Sequence, residues 1–204
     1  MTHERACALD SGWLLTVDYG TGATRLLPPA AAERWKASSR TPPVPRAPWT
    51  PSWSTHEVPL GWEPAPRVSG GTLAAAGLGV LVTLLVAHIG PRHRQMHRLI
   101  TLIHRISVLA KRKAAYVHAE EMVHAVRHFG FLPVRMACLE SSVATVVALA
   151  LQGRSVTWHH GVRCDPIVLH AWVSLDGAPV AEPLSTLRCA TLLTITSETD
   201  EEHG

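Results

Sequence analysis

Cys138-Leu139-Glu140-Ser141-Ser142 places a thiol at the start of a predicted apolar helix. Pro133 precedes this stretch, and Gly153 follows the apolar run in a position suited to end the helix. A helix N-terminus presents unsatisfied backbone N–H groups and the positive end of the helix dipole, and both lower the pKa of a thiol. Cys138 is therefore the candidate nucleophile, and the same N–H groups can stabilise an oxyanion.

A predicted strand and a tight turn downstream supply the partners that such a thiol needs. Residues 168–175 are predicted as a strand with His170 near its head, and Asp176-Gly177 is a strong hairpin-turn signal. An imidazole there can accept the thiol proton and later protonate a leaving amine. An acid can orient the imidazole through its other nitrogen, and two residues qualify: Glu182 on the returning strand and Asp176 in the turn.

The competing interpretation of Cys138 is a structural cysteine. A lone cysteine in an apolar helix is more often a small core residue than a nucleophile. The position at the helix start and the histidine on a following hairpin favour the nucleophile. The other three cysteines lack such a setting, and we expect them to be inert: Cys7, Cys164 and Cys189.

The spacing of the cysteines and the N-terminal sequence bear on the compartment. None of the four cysteines forms a Cys-x-x-Cys pair, so neither a zinc ribbon nor a thioredoxin-like motif is indicated. The first residues lack the continuous apolar segment of a signal peptide. We therefore expect a cytoplasmic protein with free thiols.

Size and composition set the fold class. A chain of 204 residues holds one ordinary domain and a small appendage, and an apolar fraction of 47% argues against global disorder. The excess of 19 Lys and Arg over 16 Asp and Glu is too small to predict nucleic-acid binding.

The chain divides into four predicted segments. Residues 1–40 form a small β-rich unit, whose elements are strands at 13–19 and 23–27 and a helix at 30–36. Residues 41–70 form a proline-rich linker, residues 71–197 the main domain, and residues 198–204 an acidic tail that we expect to be disordered. The linker tryptophans either pin it to the main domain or help to bind an extended peptide: Trp49, Trp53 and Trp62.

Residues 71–90 form a nearly continuous apolar segment that has two interpretations. Its length approaches the roughly 20 residues needed to cross a bilayer, and Arg92, Arg94 and Arg98 would suit a cytoplasmic flank. The segment is also rich in Ala and Gly and contains His88, so residues 73–89 can equally form a central helix that is buried on all sides.

The remaining helices and strands follow from periodicity. Residues 96–109 carry a helical apolar stripe with a solvated basic face, residues 114–129 are predicted to continue as helix, and short strands are expected at 155–163, 168–175, 179–182 and within 184–196. The histidine pairs His93/His97 and His124/His128 have the one-turn spacing of metal ligands, but no third ligand of fitting geometry accompanies either pair. We therefore expect no metal site.

Three runs of sequence carry a resemblance to a known family: Ala137-Cys138-Leu139-Glu140-Ser141-Ser142, Gly161-Val162-Arg163-Cys164-Asp165-Pro166, and His170-Ala171-Trp172-Val173 through Asp176-Gly177. Together they resemble the B proteins of lasso-peptide biosynthesis, which are transglutaminase-like leader peptidases. The resemblance is specific over residues 130–183, and the helices upstream look like the helical lead-in of that family, which argues against a membrane span.

The resemblance implies an α+β fold with a papain/transglutaminase-like cysteine peptidase core. It implies removal of the leader from a ribosomally made precursor, so that a partner cyclase can close the macrolactam. Cys138 takes the place of the nucleophile and His170 that of the base. The third member of the family pattern is an aspartate on the strand after the hairpin, whereas this sequence has Glu182 near that place.

The N-terminal unit resembles the leader-recognition element of the same system, a small winged-helix module of the pyrroloquinoline-quinone chaperone type. Such modules bind a leader as an added strand at a sheet edge. Residues 13–27 match the hairpin and residues 30–36 the first helix. The rest of the module is missing or has become the proline-rich segment, so this is a degenerate fused element or leader binding is shared with another protein.

The expected partners are the leader region of a lasso precursor and a lasso cyclase, with neither nucleic acid nor membrane. No nucleotide-binding motif is present, so we expect no cofactor on this chain and any ATP requirement to come from the cyclase. The alternative function is a non-catalytic transglutaminase-like scaffold that holds the leader. A third possibility, acyl transfer to an amine, would use the same residues.

Overall fold

The computed structural model describes residues 4–46, 68–129, 136–164 and 166–196. Five helices are present in these ranges: α1 Pro29–Ser38, α2 Gly70–His88, α3 Gln95–Ser107, α4 Tyr116–His128 and α5 Cys138–Leu151. The strands of the same ranges are β1 Glu4–Ala8, β2 Leu14–Asp18, β3 Thr24–Leu27, β4 Arg112–Lys113, β5 Arg154–Ser155, β6 Thr157–Cys164, β7 Ile167–Leu175, β8 Ala178–Pro179 and β9 Ala190–Ile195. Some sequence predictions fall outside the described residues: those for Trp49, Trp53, Trp62, Pro133, Asp165 and the tail 198–204.

Helix α5 lies at the centre of the main domain, between a layer of helices and a sheet. Every residue from Ser142 to Ala150 is buried, which explains why its sequence is apolar around the whole circumference. Helices α2, α3 and α4 pack on it from one side, and β6 and β7 from the other. The start of α5 is thereby held at a fixed position beside the sheet.

The main sheet is antiparallel with the strand order β8-β7-β6-β9. His170 on β7 is paired with Gly161 on β6, and a bulge between His160 and Gly161 shifts the pairing of β6 with β9. A side chain at residue 161 would begin 2.6 Å from the carbonyl oxygen of Ala190 and 3.0 Å from the ring of Trp172. Only glycine fits at the strand position opposite His170.

Helix α2 confirms the predicted apolar helix but is not buried on all sides. It packs on the rest of the domain through a stripe of small and medium residues: Ala76, Gly79, Val80, Thr83 and Ala87. The opposite face exposes Leu78, Leu81 and Leu85, because α2 lies on the outside of the helical layer. By length and composition α2 could cross a bilayer, a test that core helices of soluble proteins also pass.

Two other predictions of secondary structure need different bounds. The helix predicted over residues 114–129 is confirmed as α4, Tyr116–His128, but it is separate from α3, because the chain turns after Ser107 to pair β4 with β5 in parallel. The strand predicted at residues 179–182 ends at Pro179, so Glu182 follows the strand. In residues 184–196 the chain first forms the 3-10 helix Leu184–Arg188 and then strand β9.

The N-terminal unit is a three-stranded antiparallel sheet of order β1-β2-β3, followed by α1. The sequence predicted β2, β3 and α1 but not β1. Val44 extends the pairing, since its N–H donates to the carbonyl of Ala6 and its carbonyl accepts from the N–H of Ala8, at 2.8 and 2.9 Å. The unit shares a core with the main domain, formed by Cys7, Leu15, Val17, Tyr19, Met96, Val162, Ala190 and Leu192.

The contact between α2 and α5 gives the first prediction. A Cβ at residue 79 would lie 2.6 Å from the carbonyl oxygen of Ala144 and 2.9 Å from the Cβ of Ala148. Gly79→Ala should therefore lower the free energy of unfolding by about 1–3 kcal/mol, as overpacking does, despite the higher helix propensity of alanine. Urea denaturation measures this change.

Gly71→Ala in the same helix is the matched control, because the nearest atom to its Cβ would be the Ser69 Oγ at 3.9 Å. This variant should be neutral or more stable by up to about 1 kcal/mol. Equal effects of the two substitutions would contradict the packing argument.

Candidate active site

Cys138 is the first residue of α5 and is exposed. Its helix start is capped by Glu140, whose Oε2 accepts a hydrogen bond from the backbone N–H of Ala137 at 3.1 Å. The Oε1 of the same carboxylate accepts from Nε2 of Gln95 on α3, also at 3.1 Å. Glu140 therefore caps the helix and ties its start to the helical layer.

A second contact fixes the first turn of α5 against the sheet. The buried indole of Trp158 on β6 donates through Nε1–H to the Oγ of Ser142 at 2.9 Å. That hydroxyl in turn donates to the carbonyl of Leu139 at 3.0 Å. Because both hydrogen bonds lie within one turn of Cys138, the direction of the thiol is set by the buried core.

His170 is held on β7 by ring stacking. Its imidazole lies nearly parallel to the ring of Trp172, with centroids 5.7 Å apart, and Trp172 is stacked in the same way on His159 at 5.2 Å. Residues two apart on a strand share a face, so the Trp172 ring limits rotation of the imidazole. Strand β8 pairs only with Ser174 and Leu175, which leaves the edge of β7 beside His170 free of β8.

Glu182 meets His170 at this edge. Its Oε2 lies 2.9 Å from Nε2 of His170, and its side chain is only 7% exposed. The chain reaches this position through Ala181, which has a left-handed backbone with φ 50°. Thr186 donates its hydroxyl to the same carboxylate oxygen at 3.4 Å.

Arg127 on α4 supports both Glu182 and the turn before it. Its Nη2 donates to Oε1 of Glu182 at 2.5 Å, and its Nη1 donates to the carbonyl of Ala181 at 2.6 Å. A carboxylate with so little exposure needs a charged or hydrogen-bonding partner on each oxygen. Glu182 has both, with Arg127 on one oxygen and His170 on the other.

Asp176, the other candidate acid, lies elsewhere. It occupies the hairpin turn with φ 51° and forms an ion pair with Lys113. Of the two candidates left open by the sequence, the structure brings only Glu182 to His170.

The protonation of Cys138 and His170 follows from these contacts. Partial desolvation of the Cys138 sulfur opposes ionisation, but hydrogen bonds from His170 and from the backbone of Ala171 and Leu139 outweigh it and lower the pKa of the thiol. The hydrogen bonds to Cys138 and then to Glu182 raise the pKa of His170 to about 9. Both shifts favour the form of the pair in which a thiolate lies beside an imidazolium.

Comparison with known families assigns the chain to a superfamily. A family model described as the transglutaminase-like superfamily matches residues 81–194, which is more than half of the sequence. The chain belongs to the transglutaminase-like superfamily. No curated protein and no solved structure gives a match.

Membership of the transglutaminase-like superfamily agrees with the predicted α+β class and with the site. This superfamily includes cysteine peptidases, and its members are typically cysteine-based enzymes. The matched residues contain Cys138, His170 and Glu182. The family result thus supports cysteine chemistry at the place where the structure assembles a thiol, an imidazole and a carboxylate.

A pocket of about 230 Å³ adjoins the three groups. Its walls come from α4, α5 and β7 and from the residues before α5, with contributions from Val123, Met136, Ser141, Thr145 and Val173. The pocket is mixed in polarity and of a size that admits a single side chain.

The other thiols of this transglutaminase-like protein differ from Cys138. Burial raises the pKa of Cys7 to about 12, with the nearby Cys164 sulfur, 3.9 Å away, adding to the effect. Burial likewise raises the pKa of Cys189 to about 11. These shifts support the interpretation of Cys7 and Cys189 as inert thiols.

The sequence analysis missed the residues that position the site. Trp172 could have been found, because strand alternation places it on the same face as His170. Arg127 gave no local signal, since its contacts to residues 181 and 182 depend on how α4 packs against the sheet. Among the described residues, no group of three or more His, Cys, Asp or Glu could hold a metal ion.

The lowered pKa of Cys138 gives a second prediction. The rate of alkylation of Cys138 by iodoacetamide, measured against pH, should show an inflection below the value of about 8.5 of a free thiol. His170→Gln should move the inflection upward, because it removes the hydrogen bond and the charge that favour the thiolate. Peptide mapping by mass spectrometry should show Cys7 and Cys189 unlabelled over the same pH range, and equal labelling of the three thiols would contradict the prediction.

The position of Arg127 gives a third prediction. Arg127→Met should slow alkylation of Cys138 at pH 6.5 by about tenfold, roughly the value of one hydrogen bond to a charged group, because Glu182 no longer holds the imidazolium in place. Arg127→Lys keeps the charge but cannot hold both the Ala181 carbonyl and the carboxylate, so its rate should lie between those of wild type and Arg127→Met. A wild-type rate in Arg127→Met would show that His170 does not need this support.

Proposed function

We propose that this protein is a cysteine peptidase that removes the leader from a ribosomally synthesised lasso-peptide precursor before a partner cyclase closes the macrolactam. The observation that carries the peptidase proposal is the chain of contacts Cys138–His170–Glu182, with the pKa of the thiol lowered and that of the imidazole raised. A structural cysteine needs neither shift. The resemblance of residues 130–183 to lasso B proteins supports the choice of substrate.

The site supplies each step of peptide hydrolysis. The Cys138 thiolate attacks the scissile carbonyl carbon, and the backbone N–H groups at the start of α5 stabilise the oxyanion. The His170 imidazolium donates its proton to the leaving amine as the C–N bond breaks, which leaves a thioester on Cys138. His170 then takes a proton from water, the hydroxide attacks the thioester, and the C–S bond breaks to release the carboxylic acid product, which restores the thiolate beside the imidazolium.

Glu182 keeps the imidazole oriented through both stages and stabilises its charged form. Nε2 of His170 faces Glu182, so Nδ1 is the nitrogen that serves Cys138. In this role glutamate replaces the aspartate of the family pattern. The longer side chain reaches His170 from a position after β8, where the backbone turn at Ala181 directs it.

The N-terminal unit fits a role in leader binding. Among the described residues, β3 has β2 as its one strand neighbour, so its outer edge can accept a peptide as an additional strand. We propose the leader region of the precursor as the ligand of this edge and the cyclase as the partner that receives the cleaved core. Any ATP requirement resides in the cyclase, and the reaction takes place in the cytoplasm, without nucleic acid or membrane.

A precursor-cleavage assay read by mass spectrometry tests the proposal. Wild type and Cys138→Ala are each incubated with precursor, cyclase and ATP. Wild type should release a leader-sized fragment and Cys138→Ala none, while His170→Gln should be slower by about 10²–10⁴-fold, the usual contribution of a general acid–base.

The same assay separates the competing functions. Cleavage by Cys138→Ala at the wild-type rate would contradict the nucleophile. Tight leader binding without cleavage by either protein would favour the scaffold. A product heavier than the hydrolysed fragment by the mass of an amine less one water would indicate acyl transfer.

A further inference from the structure

A second cavity also contacts Cys138, and neither His170 nor Glu182 lines it. It is a groove of about 330 Å³ between the N-terminal hairpin, the start of α3 and the start of α5. Its floor is mostly apolar, with Val17, Met96, Leu139 and Leu169 beside the buried His160 and the half-buried Gln95. Its rim is exposed and is formed by Thr21, Gly22, Thr24 and Arg92. Cys138 lines both this groove and the pocket beside His170.

The wall supplied by the N-terminal hairpin is fixed in place. The Asp18 carboxylate accepts hydrogen bonds from the N–H of Gly20 and the hydroxyl of Thr21, at 2.8 and 2.7 Å, and so holds the turn. Tyr19 and the buried His160 of β6 share a hydrogen bond of 2.7 Å between the phenol oxygen and Nδ1. A hairpin fastened both within itself and to the main sheet forms a preorganised side of the groove.

The groove is also continuous with the open edge of the N-terminal sheet. Thr24 lines the groove and is the first residue of β3, whose outer edge is available to a peptide strand. A peptide paired with β3 would therefore lie beside Thr24, which shares this groove with Cys138. The occupant that fits this path is the extended substrate itself.

We propose that this groove binds the substrate residues that precede the scissile bond and selects an apolar side chain for its floor. The inference rests on the proposed peptidase function and adds a specificity site to which both units of the protein contribute. The leader lies on the N-terminal side of the cut, so its last residues pass between the hairpin and α3. The N-terminal unit thus forms part of the active-site cleft as well as a leader-binding surface.

Covalent probes test the groove without the natural precursor. N-acetyl tetrapeptidyl acyloxymethyl ketones carry one leucine, moved through an otherwise alanine sequence, and a matched series carries aspartate instead. The rate of labelling of Cys138 is measured for each probe and divided by the iodoacetamide rate of the same variant, so that differences in thiol reactivity cancel. At one probe position the normalised labelling rate should be about tenfold or more higher with leucine than with aspartate, as expected for an apolar subsite.

Two neighbouring substitutions on β3 locate the preference. Thr24→Trp fills the groove and should reduce the leucine preference to within about twofold. Arg25→Trp is the control, because adjacent strand residues point to opposite faces and Arg25 does not line the groove; it should keep the full preference. Thermal unfolding is measured to check that both variants are folded.

The outcomes separate the groove from the peptidase proposal. If the leucine preference survives Thr24→Trp, or if no position shows a preference, the proposal that the groove is a substrate subsite is wrong, even if the precursor is cleaved. A preference that Thr24→Trp removes while wild type fails to cleave the precursor supports the groove as a peptide subsite and overturns leader cleavage.

Discussion

The hydrogen bond between His170 and Glu182 is the interaction on which the rest of the site depends. Glu182 is almost fully buried, and a buried carboxylate is tolerated only when its charge is compensated. The early end of β8, the left-handed turn at Ala181 and the two contacts from Arg127 all serve to bring this charge to Nε2. The imidazolium that Glu182 stabilises in turn stabilises the thiolate, so the reactivity of Cys138 depends on Glu182 and Arg127 through His170.

Two histidines on adjacent strands show how far the environment decides protonation. Burial, with the nearby His170 charge as a smaller cause, lowers the pKa of His160 to about 4, and His160 is tied to the phenol of Tyr19. The pKa of His170 is raised to about 9 by its anionic partners. Both are histidines on neighbouring strands of the same sheet. His160 is neutral and links the N-terminal unit to the sheet, whereas His170 is the charged group beside Cys138.

The parts of the fold that the sequence predicted are those governed by local rules. Helix periodicity located α2, α3, α4 and α5. The thiol at the start of α5 and His170 before a hairpin turn are two groups that the structure brings to one pocket. The short strands β1 and β4 were missed, because two to five residues give little alternation. Arg127 was missed because its role depends on the packing of α4 against residues 181 and 182.

The packing of α2 explains the small residues in its sequence. Its inner face uses Gly79 to bring two backbones together, an approach that a single methyl group would prevent, and this accounts for the abundance of Ala and Gly. The close contact holds α5 at a depth where Trp158 can reach Ser142 and Glu140 can cap the helix. The N-terminal unit is held to the same frame through the core it shares with Met96, Val162 and Leu192. Weaker packing of α2 would therefore displace both the Cys138 thiol and the groove, since the first turn of α5 contributes to both.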